Sequence, residues 1–385
     1  MSDLYCPLPP GDQDIFRFRS RYGVNLGSTF LHGPSSTNAI SSNCTEQDEL
    51  EALKSSIETN GLEPTSSIWG SHWLGALKND DLLWLRDSAH CNTIQLSLGF
   101  LTLGPLFSEG TPFEGLPSQV YTRCWNAIKH LMERCHTHGI GVLLTFDPTA
   151  NGVDLCSSVK TLALARDCVA FIAQEVTFHA LHGVAGLRIA LPEKNNEADA
   201  SRLRDWCREV RMIVSAIDEF LPLYISAGLE GTAKFHDDCA TPFPQLGADL
   251  GRSGATTIFA PPSHLLLSRD LVQAQAQQAR IERPQLLREA LSQVEAQEKS
   301  CQSAAGRQSF VHGWDLGFSD ALRFYDAAVE GLLPLRRPGG ADRIGEVELW
   351  ARRRARDVAR LEGDHQTWEL GLRRGIADFD RFVGI

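Results

Sequence analysis

The chain has 385 residues, 43% hydrophobic and 22% charged, with a formal net charge of −11. That balance suits a globular protein with a large core, and its acidity excludes the basic footprint of a nucleic-acid binder. No run approaches the roughly 20 apolar residues of a membrane helix; residues 1–19 hold Pro7, Pro9, Pro10 and several charges but no apolar signal segment, and the ten cysteines contain no Cys-x-x-Cys pair, so reduced thiols and a cytoplasmic location are expected.

In chain order, residues 22–30 (YGVNLGSTF) predict a strand ending in a glycine turn. Residues 33–67 are rich in Ser, Thr and Asn and predict a long loop insertion with one helix at 46–59. A helix at 80–89 leads to an alternating strand at 92–100 (NTIQLSLGF). After a loop with Gly104, Pro105, Gly110 and Pro112, residues 118–138 place Val120, Trp125, Ile128 and Leu131 on one helical face. The run 141–146 (GVLLTF) is apolar throughout, as in a strand buried on both faces.

Helices at 161–182 and 198–219 then alternate with strands at 184–191 and 222–227. A sixth strand is expected at 256–260, ended by Pro261 and Pro262, and a polar helix at 269–300 leads to a seventh strand at 309–314. Beyond Asp320 the pattern is helical, with 330–335 as a candidate for a short, irregular eighth strand. Arg352, Arg353 and Arg354 stand beside Glu346, Glu348 and Asp357, the pattern of a solvated helix face. Strands alternating with helices predict an α/β fold with a parallel sheet, and seven of them predict a (β/α)8 TIM barrel. The expected organisation is one barrel domain over 1–385, with the 33–67 insertion and a mainly helical segment over 321–385.

Several stretches carry a family resemblance. Tyr22-Gly-Val-Asn-Leu-Gly-Ser28, His72-Trp73, Asp80-Asp-Leu-Leu-Trp-Leu85, Gly104-Pro-Leu-Phe107, Gly110-Thr-Pro-Phe113 and Gly139-Ile-Gly-Val-Leu143 follow one another in the order and spacing of a known group. They resemble glycoside hydrolase family 5, in particular its fungal exo-β-1,3-glucanase/cellulase-like members without a signal peptide. The resemblance implies a glycosidase-like (β/α)8 barrel.

It also implies catalytic positions that this chain does not fill. Val311-His312-Gly313-Trp314 resembles the seventh-strand Val-Gly-Glu-Trp, with no carboxylate where the family has its nucleophile. Gln95 stands where the second strand carries Arg, and Thr145-Phe146-Asp147 stands where the third ends Asp-Leu-His. Pro192 falls on the acid/base Glu of Asn-Glu-Pro, and a one-residue bulge would restore Glu193. Ala260-Pro-Pro-Ser-His264 occupies the place of the sixth strand's His-x-Tyr. Retaining hydrolysis needs two carboxyl groups about 5–5.5 Å apart. A degenerate site is therefore expected.

Barrel sites lie at the C-terminal strand ends. The expected proton-handling set is Asp147, Glu193 and His312. The expected lining is Gln95, Phe100, Phe146, Ser226, Phe259, His264, Trp314 and Asp315. A carboxylate beside an imidazole moves protons near neutral pH. Taken singly, Asp147 also suits a turn cap, Glu193 an exposed loop and His312 a core histidine. His136 and His138 end a helix rather than form a metal site, and no phosphate loop occurs, so no metal or cofactor is expected. The expected partner is a small molecule in the barrel mouth, with no nucleic acid and no membrane; the oligomeric state is open. Three functions stand side by side. One is a metal-free isomerase, lyase or cyclase acting on a largely apolar substrate in secondary metabolism. Another is a pseudoglycosidase that binds a glycan or a protein. The third is a residual hydrolase using Glu193 with Asp315.

Overall fold

The computed structural model describes residues 7–21, 23–27, 29–31, 49–150, 153–191, 197–227, 269–329, 343–358 and 364–384. The chain divides into two compact units, one formed by Gly23–Ala260 and one by Met1–Tyr22 with Pro261–Ile385.

The short apolar runs of the first unit form a sheet. Its strands are β1 (Gly23–Asn25), β2 (Thr93–Leu98), β3 (Gly141–Phe146), β4 (Val184–Leu191) and β5 (Leu223–Ala227). All neighbours are parallel, and the spatial order is the chain order. A doubly wound sheet reverses direction at a switch point; this one runs on in a single direction, as the strands of a (β/α)8 barrel do. The fold is α/β of the TIM-barrel type, with five of its strands among the described residues. The sixth- and eighth-strand expectations at 256–260 and 330–335 lie outside them.

The chain's helices begin with α1 (Asp12–Phe18), which belongs to the other unit. Around the sheet come α2 (Glu49–Asn60), α3 (Leu62–Gly75), α4 (Asn79–Asp87), α5 (Leu116–Val120), α6 (Cys124–Thr137), α7 (Val159–Phe178) and α8 (Glu197–Ile217). Helix α6 buries Trp125, Ile128, Leu131 and Cys135 along one stripe. Helix α7 starts where the Ser158 hydroxyl accepts the Thr161 amide at 3.0 Å, a cap worth ~1 kcal/mol. Helix α3 extends past the expected 33–67 insertion. It is held by Trp69 and Trp73, both in the core.

Strand alternation sorts the two faces of the sheet. Ile94, Leu96, Leu98, Val142, Leu144, Phe146, Leu187, Ile189, Leu191 and Ile225 join one core with the helices. Each such side chain contributes roughly 1.5–3 kcal/mol by leaving water. The opposite face carries Gln95, Ser97, Leu143, Thr145, Arg188 and Tyr224.

The second unit contains α1, α9 (Arg269–Gln297), α10 (Ala304–Val329), α11 (Val347–Asp357) and α12 (His365–Val383). The run Phe310–Trp314 is not a seventh strand; it lies within α10. The reason is periodic. Phe310, Gly313, Trp314, Gly317 and Phe318 recur at helical spacing and face α12. A Cβ on Gly313 would stand 2.0 Å from the Trp368 carbonyl oxygen, and one on Gly317 2.0 Å from that of Leu372. Reciprocally, a Cβ on Gly371 would meet the Phe310 oxygen at 2.2 Å, and one on Gly375 the Trp314 oxygen at 2.1 Å. Each glycine costs roughly 0.5–1 kcal/mol of helix propensity, which the close backbone contact offsets.

Two buried polar clusters in this unit are matched. The Trp314 indole donates to Asp378 Oδ2 at 2.9 Å. Asp320 is gripped by the Arg354 guanidinium, Nη2 to Oδ1 at 2.5 Å and Nε to Oδ2 at 2.8 Å, and accepts the Trp350 indole at 3.1 Å.

Candidate functional site

The inner face of the sheet holds a row of polar side chains in register. Ser97 on β2 is opposite Thr145 on β3, Thr145 opposite Arg188 on β4, and Arg188 opposite Tyr224 on β5. One step down, Asn25, Gln95 and Leu143 are neighbours. Arg188 Nη1 donates to Gln95 Oε1 at 3.4 Å, so two strands are bridged across β3. Asn25 Oδ1 accepts the Gly27 amide at 2.9 Å, which fixes that side chain at the end of β1.

A bulge puts Arg188 in this row. Val142 pairs with Val184 but Leu143 pairs with Gly186, so β4 carries one extra residue. That slip reverses the facing of everything after it. Leu187 and Ile189 turn to the helices and Arg188 turns inward. The bulge lies at the start of β4, which ends at Leu191; Pro192 and Glu193 lie outside the described residues.

Thr145 is 4% exposed, and its hydroxyl has no hydrogen-bond partner among the described residues. A buried hydroxyl left unpaired costs about 1–3 kcal/mol. Gln95, at 5% exposure, is nearly as enclosed.

The expected site residues fall in different places. Asp147 follows β3, but its Oδ1 accepts the Thr149 amide at 2.8 Å and the Thr149 hydroxyl at 2.7 Å. It closes an Asx turn, the local role such a residue plays before proline. Phe146 and Phe100 meet edge to face at 5.5 Å in the helix-side core instead of lining the inner face. Ser226 lies in β5 opposite Ala190. Glu193, Phe259 and His264 lie outside the described residues.

His312, Trp314 and Asp315 are not at a strand end; all three are on α10, because their segment follows a helical period. Trp314 is fully buried on Asp378, and Asp315 pairs with Arg283 at 3.0 Å. Burial holds the His312 imidazole below its ordinary value, opposed by the Asp315 charge. Asp147 and His312 belong to different compact units. Gly313 therefore says nothing about a missing nucleophile: it is a helix-contact glycine.

Thr145, Arg188 and Tyr224 were not expected as site residues. Arg188 was signalled: it is the lone charge in the apolar run Gly186–Leu191, a position that needs a purpose. Thr145 and Tyr224 gave no such signal. Among the described residues no group of three or more His, Cys, Asp or Glu is placed to hold a metal ion. Burial pushes the Cys135 thiol up to about 12 and Cys207 up to about 11, which leaves neither a ready nucleophile.

The consecutive parallel sheet, with its polar inner face, is of the α/β-barrel type. Comparisons with known proteins narrow this. Residues 279–383, which span most of α9–α12, match the glucan 1,3-beta-glucosidase 3 C-terminal domain. The chain is 27% identical over 141 residues to glucan 1,3-beta-glucosidase 3 of Schizosaccharomyces pombe, covering 36% of this chain and 30% of that protein. It is 26% identical over 172 residues to an uncharacterized glycosyl hydrolase of Saccharomyces cerevisiae, covering 41% of this chain and 33% of that one. The matches thus span about a third of each relative's length. Among solved structures, the catalytic domain of the major endoglucanase from Xanthomonas campestris pv. campestris is similar at a TM-score of 0.27 and 13% identity, over 55% of this chain and 54% of that one. Over these segments the chain is similar to glucan 1,3-beta-glucosidase 3 and to a glycosyl hydrolase.

Proposed function

We propose that this chain is a saccharide-binding barrel of glycosidase descent, taking a β-linked gluco-oligosaccharide on the inner face of its sheet without turnover by the family's retaining carboxylate pair. One observation carries this reading: the in-register row Ser97, Thr145 and Arg188, with Gln95 bonded to Arg188. Hydroxyl, amide and guanidinium groups match the hydroxyls of a sugar ring. A largely apolar ligand would leave the Thr145 hydroxyl stranded, at the cost given above. The name of the S. pombe relative, glucan 1,3-beta-glucosidase 3, suggests a β-1,3-glucan as the saccharide.

The reading as a cofactor-free isomerase, lyase or cyclase draws less support. Phe100 and Phe146 serve the core, and Asp147 serves a turn. Gln95 in place of the family's second-strand Arg supports binding over turnover. The test uses purified chain with aryl β-glucosides and soluble β-1,3-glucan. Expected is saturable binding with no product above background. Turnover abolished by Glu193→Gln would replace the binding reading with a hydrolase.

A further inference from the structure

Valine would fill the Thr145 position as well as threonine does. The site is enclosed, the strand is apolar, and valine has a high preference for strands. Threonine supplies a hydroxyl there, and nothing among the described residues satisfies it. Folding alone therefore gives no reason for the residue. Its register neighbour Arg188 faces the same side because β4 carries the extra residue between Val184 and Gly186. These are two independent departures from an apolar sheet. They meet at one pair of adjacent positions on one face.

We propose that Thr145 and Arg188 form a subsite that reads one hydroxyl of the bound saccharide ring, with Thr145 Oγ1 accepting or donating and Arg188 donating. This assignment rests on the saccharide reading above. Arg188 has a second task as a positioning residue. By donating to Gln95 Oε1 it sets which end of that amide is oxygen, and leaves the Gln95 amide nitrogen as the donor for a neighbouring sugar oxygen. A site that hydrogen-bonds a hydroxyl rejects the analogue lacking it, because its own polar groups are left unpaired. The subsite therefore confers selectivity for a ring that carries the hydroxyl over the corresponding deoxy sugar.

The experiment measures binding of a soluble β-1,3-linked gluco-oligosaccharide to the full chain and to Thr145→Val and Arg188→Lys, alongside thermal midpoints without sugar. Expected is about tenfold weaker binding for Thr145→Val, with a midpoint equal to or above that of the unaltered chain. A loss of similar size is expected for Arg188→Lys, whose ammonium on a flexible stem lacks the rigid planar fork of the guanidinium. A Thr145→Val protein that binds as tightly as the unaltered chain overturns the subsite and leaves the saccharide reading standing. An unaltered chain that binds no such oligosaccharide overturns both.

Discussion

Gly313 on α10 and Trp368 on α12 come so close that a Cβ on the glycine would stand 2.0 Å from the tryptophan's carbonyl oxygen. No methyl group fits at that distance, and the obstacle is backbone. Gly313→Ala must therefore push the two helices apart. Overpacking of this kind costs about 1–3 kcal/mol, and the gain in helix propensity returns less than 1 kcal/mol of it. A clear fall in the denaturant midpoint is expected. An unchanged midpoint would contradict the close α10–α12 contact.

The buried Asp320–Arg354 pair gives a sharper test of the same unit. Burial pushes the Asp320 carboxyl up to about 6 despite the guanidinium beside it. Removing one partner alone strands the other. Arg354→Met should cost about 3–5 kcal/mol in urea unfolding, and Asp320→Leu with Arg354→Met should recover a large part. Strict additivity of the two single losses would refute their coupling.

How far the fold could be read in the residues depended on segment length and period. Strands β1 to β5 were legible because GVLLTF and PLYISA are too short for buried helices and lie between clear amphipathic helices. Phe310–Trp314 is equally short and apolar, and at that length strand and buried helix cannot be told apart. The resemblance to a strand motif favours a strand there, whereas the segment is helical. A longer window, with Gly317 and Phe318 continuing the 3.6 period, points to the helix. Helix α3 was masked by the Ser- and Thr-rich composition before it. At the site, Gln95 was visible through its place in the strand-two motif. Arg188 needed the bulge, which no sequence pattern announces, to turn it inward.

His312 gives a pH prediction. Its folded value lies below the ordinary 6.5 through burial, against a smaller upward pull from Asp315. As pH falls below about 6.5 the unfolded chain takes up this proton first. The stability contributed by the neutral imidazole is thus full above that pH and is lost as pH falls through the depressed folded value. The urea midpoint of the unaltered chain should drop more between pH 7.5 and 5.5 than that of His312→Gln. Asp320 and Asp380, both pushed up to about 6 by burial, act in both proteins and cancel in the difference. An equal drop in the two would show that His312 is not held neutral by its surroundings.

The thiols report on core integrity. Cys91, Cys124, Cys135, Cys156, Cys168, Cys207 and Cys301 are free and buried. Burial raises Cys124 and Cys168 as well as Cys135 and Cys207 above the ordinary thiol value. Titration of the native chain with an aromatic disulfide reagent at pH 8 should leave these seven unmodified until denaturant is added. Rapid reaction of more than the remaining three of the ten would contradict the packing described.

The saccharide reading is tested most directly by a crystal structure of the full chain soaked with a β-1,3-linked gluco-oligosaccharide. A sugar ring is expected on the inner face of the sheet, with ring hydroxyls within hydrogen-bond distance of Thr145 Oγ1, Arg188 and Gln95. An inner face empty of sugar, or a sugar bound only to the helices α9–α12, would contradict it.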